Sequence, residues 1–220
     1  MYQQQSFRPQ PYLQPAISTS ALLGQVLGIV AGGFVVTAIA AYVTAALALP
    51  FGVSLVAMLA GFGFIIAINA VRRNAGLSLL LFYAFTACEG IGLGPAIANY
   101  ARTSGSEVVV EAAATTAMGM AVLGTIAYMT SFDYRKLAGL GFGLLLALVV
   151  VGIISAFTHF IHPQAYAWAT LVVFTILTLV DFARLRAGGD GRSSVQLATG
   201  IYLDGVNIFL ALLRIFGGRR

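Results

Sequence analysis

The chain has 220 residues, of which 60% are hydrophobic and 9% charged. Soluble globular proteins carry about 25% charged residues, so this chain cannot cover a water-facing surface, and the lipid bilayer is its expected solvent. The net charge of +5 comes from basic residues scattered singly or in pairs between apolar runs, a pattern that indicates membrane topology and excludes a nucleic-acid-binding face.

The chain opens on a segment rich in Gln and Pro, Met1–Ser18. This segment lacks the positively charged region and the small-residue cleavage site of a signal peptide. We therefore expect residues 1–20 to form a disordered tail and the first apolar helix to act as the insertion signal. Residues 21–217 should form a single membrane domain, followed by a short tail at 218–220.

Seven apolar segments follow, each long enough to cross the hydrocarbon core, which takes about 20 residues. Prolines, glycines and charged pairs separate them. The sequence therefore predicts an all-α protein with seven transmembrane helices. The predicted segments are Ala21–Leu47, Phe51–Val71, Leu77–Tyr100, Val108–Thr130, Leu137–Phe157, Pro163–Ala183 and Leu197–Phe216.

The basic residues predict the orientation of these helices. With a cytoplasmic N-terminus, eight Lys and Arg residues lie in the inside segments and only Arg102 lies in an outside loop. The positive-inside rule then places the N-terminus in the cytoplasm. The terminal Arg214, Arg219 and Arg220 are an exception, because seven full crossings put them outside; helix seven either crosses or dips in and returns, and we expect it to cross. The inside residues are Arg8, Arg72, Arg73, Arg135, Lys136, Arg184, Arg186 and Arg192.

Glycines inside the predicted helices indicate close packing. Gly24, Gly28 and Gly32 recur at four-residue spacing, and Gly139 and Gly143 repeat that spacing in helix five, so we expect helix backbones to approach closely there. In helix three, a run of Gly90, Gly92, Gly94 and Pro95 is expected to loosen the helix and to let backbone carbonyls face a cavity.

Two aspartates lie inside predicted helices at matching depth. Asp181 lies two or three residues before the end of helix six, and Asp204 lies about seven residues past the start of helix seven, which puts both roughly 3–10 Å below the same interface. Arg72, at the end of helix two, reaches that face too. Two carboxylates that meet cannot both ionise cheaply, and such a pair titrates as a unit. We therefore predict a proton-responsive site of Asp181, Asp204 and Arg72.

Each of these residues also has a plainer interpretation. Asp181 could pair with Arg184 at i+3, and Arg72 beside Arg73 could be a topology anchor. Asp204 is harder to explain as structure, because apolar turns flank it on both sides. Oxygen ligands suit hard cations, which makes Asp181 and Asp204 candidate calcium ligands.

Other polar residues are weaker candidates. Glu89 lies mid-helix and must pair, carry a proton or face water, so it is a candidate pore or proton site. Asn207 shares a helix face with Asp204 and either belongs to that site or joins helices. His159 and His162 are spaced for zinc but lack a third ligand, which favours an ordinary loop pair. We find no catalytic motif, and we expect neither enzymatic activity nor a cofactor.

Several stretches resemble a known family. The run TGIYLDGVNIFLALLRIFGG near the C-terminus resembles the signature of the Bax inhibitor-1, or transmembrane Bax inhibitor motif, family. FTACEGIGLGPAIANY, VLGTIAYMT and LVDFARLR extend the resemblance over most of the chain after Ala21. It implies six helices around a central seventh and a pH-sensitive calcium leak.

The resemblance also implies roles for single residues. Asp181 and Asp204 match the family's carboxylate pair, and Arg72, with Arg73 as a close competitor, matches the arginine that latches to that pair. Glu89 fits an acidic position before a glycine-rich segment. Gly61 stands where some bacterial members carry an acid. The chain departs from the family's pattern here, and the departure bears on whether ions follow the same route. The short tail indicates a member from a bacterial plasma membrane.

Three functions remain open from sequence. The first is a pH-gated cation leak, with calcium and protons as its ions. The second is a non-transporting regulator that binds a membrane protease or another membrane complex, with Met1–Ser18 as the contact segment. The third is a proton-coupled transporter that uses Glu89 as the carrier.

Overall fold

Seven long helices make up the computed structural model, which describes residues 18–218. Each is long and apolar enough to cross a membrane, so the predicted all-α, seven-helix architecture is confirmed. The predicted N-terminal tail, apart from its last three residues, lies outside the described part of the chain. The helices are α1 (Thr19–Ala46), α2 (Phe51–Ala70), α3 (Ala75–Ser104), α4 (Ser106–Met129), α5 (Tyr134–Thr158), α6 (Pro163–Arg186) and α7 (Ser194–Gly217).

Capping residues explain why several helices begin before their apolar segments do. The Asp133 carboxylate accepts from the backbone N–H of Arg135 at 3.1 Å, which starts α5 three residues before Leu137. At α7, the Ser193 hydroxyl accepts from the Gln196 N–H and the Gln196 side chain accepts from the Ser193 N–H, a capping box that satisfies donors otherwise left free at a helix start. Hydropathy does not register such polar first turns.

The last helix, α7, is the most buried and occupies the centre of the bundle. It packs against α1, α2, α3, α4 and α6, while α5 packs mainly against α6 from outside. At 24 residues, α7 is about 36 Å long. Its C-terminal end meets the end of α3, where the Ser104 hydroxyl donates to the Gly217 carbonyl at 3.3 Å. Helix seven thus crosses the whole bundle.

One end of the bundle gathers the turns that carry most of the basic residues, and we call it the basic end. It contains the ends of α2, α4 and α6 and the starts of α5 and α7, joined by contacts between their loops. The Arg186 guanidinium, for example, donates to the Ala127 carbonyl at the end of α4 at 2.7 Å. The loop between α6 and α7 contains a tight turn, Gly189–Gly191, in which Asp190 has φ 51°. The predicted proton-responsive site of Asp181, Asp204 and Arg72 lies at or near the basic end.

The close helix contacts are not where the glycine spacing predicts them. A Cβ added at Gly24, Gly28, Gly139 or Gly143 would meet no atom within 4 Å in the described structure, and only Gly32 is packed, against Tyr83. The four glycines without a contact face outward, because spacing identifies a helix face but not its neighbour.

The glycines of α3 supply the close contacts instead. A Cβ added at Gly90 would collide with the carbonyl of Thr37 and lie 2.6 Å from the Cβ of Ala40, and one at Gly94 would lie 2.8 Å from the Ala41 carbonyl. These atoms belong to α1, and α3 runs as one helix through Pro95. The expectation that this segment opens a carbonyl-lined cavity is therefore wrong, since its glycines bring α3 against its neighbour.

Candidate functional site

Asp181 and Asp204 come together where α6 and α7 cross near the basic end. Oδ2 of Asp181 lies over Gly200, one turn before Asp204, at a place where any added Cβ would collide with it. The two carboxyl groups are close enough to interact electrostatically. Asp204 is only 4% exposed. The structure thus joins the two acids that the depth argument selects, and Gly200 makes the room for them.

The immediate partner of Asp181 is Arg184, on the same helix. The Arg184 guanidinium donates to Oδ1 of Asp181, and the two side chains are 13% and 17% exposed. A pair at this i+3 spacing forms within one helix turn. Asp181 is thereby largely neutralised in this conformation without any help from α2.

Arg72 lies in the turn after α2, with its side chain exposed. Within residues 18–218, no carboxylate lies within ion-pair distance of it. The latch between Arg72 and the carboxylate pair, which the family resemblance implies, is not formed in this conformation. The reason is geometric: α2 ends at Ala70, and Arg184 already holds Asp181. Arg73 is exposed in the same turn.

Asp204 has an incomplete set of hydrogen-bond partners. Its Oδ2 is buried and has no partner in the described part of the chain. The Thr178 hydroxyl faces the carboxyl group but donates to the Phe174 carbonyl at 2.7 Å. A buried carboxylate oxygen without a donor is costly unless the group carries a proton or an ion reaches it.

A cavity of about 500 Å³ opens at the basic end, beside the carboxylate pair. Gly200 belongs both to the cavity wall and to the contact with Asp181, so the cavity reaches the segment of α7 against which Asp181 packs. The lining residues come from the end of α2, the loop before α7 and the first three turns of α7: Ile68, Asn69, Arg72, Asp190, Gly191, Arg192, Gln196, Thr199, Gly200 and Leu203.

Glu89 lies elsewhere, on α3 against α2. Its Oε1 would be 3.5 Å from a Cβ placed at Gly61, so an acid at position 61 would face Glu89 directly. Glu89 also acts electrostatically on Tyr202, which is fully buried. Glu89 therefore faces the α2 side of the bundle, while Asp181 approaches α7 from α6.

The remaining candidates have local structural roles. The Asn207 amide donates to the Leu203 carbonyl of its own helix at 2.8 Å. His162 caps α6, with Nδ1 accepting from the Gln164 N–H at 3.3 Å, and His159 ends α5 with φ 53°. In the range 18–218, no three His, Cys, Asp or Glu side chains cluster as a metal site would require.

Sequence reasoning missed three parts of this arrangement. Gly200 could have been found, because it lies four residues before Asp204 and so on the same helix face. Thr178 lies three residues before Asp181, but an apolar helix offers many threonines with equal claim. Tyr202 donates to or accepts from Thr37 at 2.5 Å, a contact between α7 and α1 that no local pattern signals.

The α6–α7 loop is tied to α5 at the cavity rim. The Tyr134 hydroxyl donates to Oδ2 of Asp190 at 2.7 Å, and the Arg135 guanidinium lies 3.4 Å from Oδ1. The hydrogen bond from Tyr134 is the main cause that holds the pKa of Asp190 below its usual range. A lowered pKa contributes stability that is present above the ordinary aspartate pKa and is lost as pH falls through the folded value.

We therefore expect Tyr134→Phe to raise the pKa of Asp190 toward its ordinary range and to weaken this attachment near neutral pH. Carbon-13 NMR titration of the Asp190 carboxyl should show the shift. Amide exchange in the α6–α7 loop should rise at pH 7 but match the parent below the Asp190 pKa. Tyr42→Phe, at an exposed tyrosine of α1, is the control. If Tyr134→Phe left amide exchange in the α6–α7 loop unchanged at pH 7, the hydrogen bond from Tyr134 to Asp190 would not be what holds the loop to α5.

Seven apolar helices, one of which is a buried, carboxylate-bearing central helix, define a polytopic membrane protein. The profile of the family described as "Inhibitor of apoptosis-promoting Bax1" matches residues 19–220. The chain belongs to this family, the Bax inhibitor-1 family, as its sequence resemblance indicates.

Its relatives include bacterial proteins that match it over nearly the whole of both chains. Inner membrane protein YbhL of Escherichia coli is 30% identical, over 97% of this chain and 98% of that protein. An uncharacterized membrane protein of Vibrio cholerae is 27% identical, over 93% of this chain and 92% of the relative. An uncharacterized protein of Pseudomonas aeruginosa is 27% identical, over 98% of this chain and 97% of that protein.

Proposed function

We propose that this membrane protein is a passive cation leak, gated by pH, in which Asp181 and Asp204 form the gate and calcium is the ion. The observation that carries the proposal is the buried carboxylate pair itself. Its two acids come from different helices, and one of them has an oxygen without a partner. Such a site costs folding stability, and in a membrane that cost is a mark of function.

Protons act on this site through the ion pair with Arg184. When the carboxylates are charged, Asp181 holds Arg184 and the contact between α6 and α7 at Gly200 is kept. When the pair takes up a proton, the attraction for Arg184 weakens and the two helices can separate beside the cavity. Acidification therefore opens the ion path between α6 and α7. In the proposed orientation the N-terminus faces the cytoplasm, and the basic end lies at the cytoplasmic leaflet.

Calcium fits the chemistry of the pair as a passing ion. It takes about 6–8 oxygen ligands, whereas two carboxylates and the Thr178 hydroxyl supply fewer. The ion keeps part of its water shell, and a site with few protein ligands releases it readily. The activity is transport, with no covalent chemistry and no resident cofactor.

The test is calcium flux into proteoliposomes as a function of bath pH. We expect the parent to leak faster as pH falls, by at most about tenfold per pH unit for one titrating site, since one pH unit corresponds to about 1.4 kcal/mol. Asp204→Asn and Asp181→Asn should each flatten this response. Asp133→Asn is the matched control, because asparagine caps a helix as well as aspartate does.

Other outcomes would change the function. A pH response that survives Asp204→Asn removes the carboxylate pair as the gate. Uphill accumulation of ions driven by a pH gradient identifies a coupled transporter, for which Glu89 is the candidate carrier. A flux that ignores both pH and the variants favours the regulator, whose contact segment Met1–Ser18 is, except for Ser18, outside the described residues.

A further inference from the structure

Two arginines on the rim of the cavity at the basic end have no acid partner. Arg72 comes from the turn after α2, and Arg192 from the loop before α7; both side chains are exposed and both line the cavity. Across residues 18–218, neither is within ion-pair distance of a carboxylate, and neither side chain donates a hydrogen bond to another group. The cavity therefore has two free guanidinium groups.

The acid in the cavity lining cannot neutralise them. Asp190 has both carboxylate oxygens engaged from the side of α5, Oδ2 by the Tyr134 hydroxyl at 2.7 Å and Oδ1 by Arg135 at 3.4 Å. The excess charge of the cavity is thus positive.

The neutral polar groups of the lining are engaged as well. The Gln196 amide donates to Oδ1 of Asn69 at 2.8 Å, and the Asn69 amide donates to the Ile65 carbonyl at 2.9 Å. The Thr199 hydroxyl donates to the Val195 carbonyl at 2.7 Å. Each amide retains one further N–H, so the charged donors that remain free in the cavity are those of the two arginines.

We propose that this cavity binds a phosphate-bearing anion between Arg72 and Arg192. A guanidinium group presents paired N–H donors whose spacing matches two oxygens of a phosphate. A volume of about 500 Å³ accommodates either free phosphate or the phosphodiester head of an anionic lipid. Ile68 and Leu203 give the cavity an apolar wall, against which the glycerol part of a lipid head can lie.

The site is separate from the carboxylate gate and does not depend on the proposed leak. The two are adjacent, however, because Gly200 lines the cavity and touches Asp181, and Arg192 acts electrostatically on Asp181. An anion that engages Arg192 withdraws part of that positive charge from Asp181. Occupancy of the cavity therefore affects the gate if the gate exists, and it is measurable by binding alone if the gate does not.

The experiment measures binding to the purified full-length chain in two arms. In the first, inorganic phosphate is titrated by calorimetry into the protein in a neutral detergent, with chloride at equal ionic strength as the reference. In the second, native mass spectrometry counts lipids retained from mixed phosphatidylglycerol and phosphatidylcholine. The variants are Arg72→Gln and Arg192→Gln, and the control is Arg73→Gln, which neutralises the neighbouring arginine outside the cavity lining.

We expect saturable binding in at least one arm, weakened by about tenfold or more in each of the two variants and unchanged in Arg73→Gln. Binding in the first arm alone identifies free phosphate as the ligand, and preferential retention of phosphatidylglycerol identifies the lipid head. An equal loss in Arg73→Gln would show attraction to general surface charge and overturn the proposal. Binding in neither arm, with thermal unfolding showing that the protein is folded, would overturn it as well.

Discussion

Arg184→Gln should lower the free energy of unfolding at pH 7 by about 3–5 kcal/mol, the cost of removing one partner from a buried ion pair. Both side chains of the Arg184–Asp181 pair are less than one fifth exposed. Without Arg184, the Asp181 carboxylate remains beside Asp204, whose Oδ2 already lacks a partner. The variant therefore concentrates uncompensated negative charge at the crossing of α6 and α7.

The loss in the free energy of unfolding caused by Arg184→Gln should become smaller as pH falls, because a protonated Asp181 no longer requires a cation. Unfolding in mixed micelles, followed by tryptophan fluorescence at several pH values, measures this difference. Arg72→Gln is the matched control and should change stability by less than about 0.5 kcal/mol, as an exposed residue without a partner does. If Arg72→Gln were instead as costly as Arg184→Gln, Arg72 would be the true partner of the pair.

Hydropathy was enough to predict the seven helices, and counting residues along them was enough to predict that the two aspartates lie near the same end of the bundle. A helix that crosses a bilayer has its length imposed by the hydrocarbon thickness, so counting residues from a helix end measures depth. Asp181 and Asp204, on consecutive antiparallel helices, therefore had to lie near one interface. Their approach within the bundle follows from the depth argument together with the small Gly200 between them.

The partner of the pair was not predictable in the same way. Depth places Arg72 and Arg184 at the same end, but an i+3 neighbour reaches Asp181 through one turn of its own helix, whereas Arg72 must reach across from another helix. Which of these happens depends on side-chain rotamers and on where α2 stops. Sequence left both pairings open, and the structure contains the local one.

The sequence also could not predict which neighbour a given helix face packs against. Gly24 and Gly90 both belong to small-residue patterns at four-residue spacing, yet one faces open space and the other the backbone of α1. Spacing fixes which residues share a face, whereas the neighbour of that face depends on how all seven helices pack.

The glycine contact also bears on the site, because α1 and α3 together hold Tyr202 of the central helix. The Thr37 hydroxyl, on α1, bonds to Tyr202 at 2.5 Å and donates to the Thr86 carbonyl of α3 at 2.9 Å. The rings of Phe82 and Phe85, also on α3, pack edge-on against Tyr202. The tight α1–α3 contact therefore positions Tyr202, and with it the stretch of α7 in which Asp204 follows two residues after Tyr202.

Gly90→Ala should accordingly destabilise the protein by about 3 kcal/mol, the upper part of the usual range for an overpacked core. The new methyl group would meet the Thr37 carbonyl and the Cβ of Ala40, which are parts of a helix and cannot rotate away as a side-chain tip can. We also expect the pH response of the leak to change, since separating α1 from α3 loosens the support of Tyr202. Thermal unfolding and calcium flux on the same preparation measure both effects.

Gly24→Ala provides the matched comparison, because it adds the same methyl group to a helix where nothing lies within 4 Å. Alanine is a better helix former than glycine by roughly 0.5–1 kcal/mol, so this variant should be as stable as the parent or slightly more stable. Equal destabilisation by the two substitutions would mean that Gly24 faces a helix partner. A neutral Gly90→Ala would mean that α3 stands away from α1, which would restore the interpretation that its glycines open a carbonyl-lined cavity.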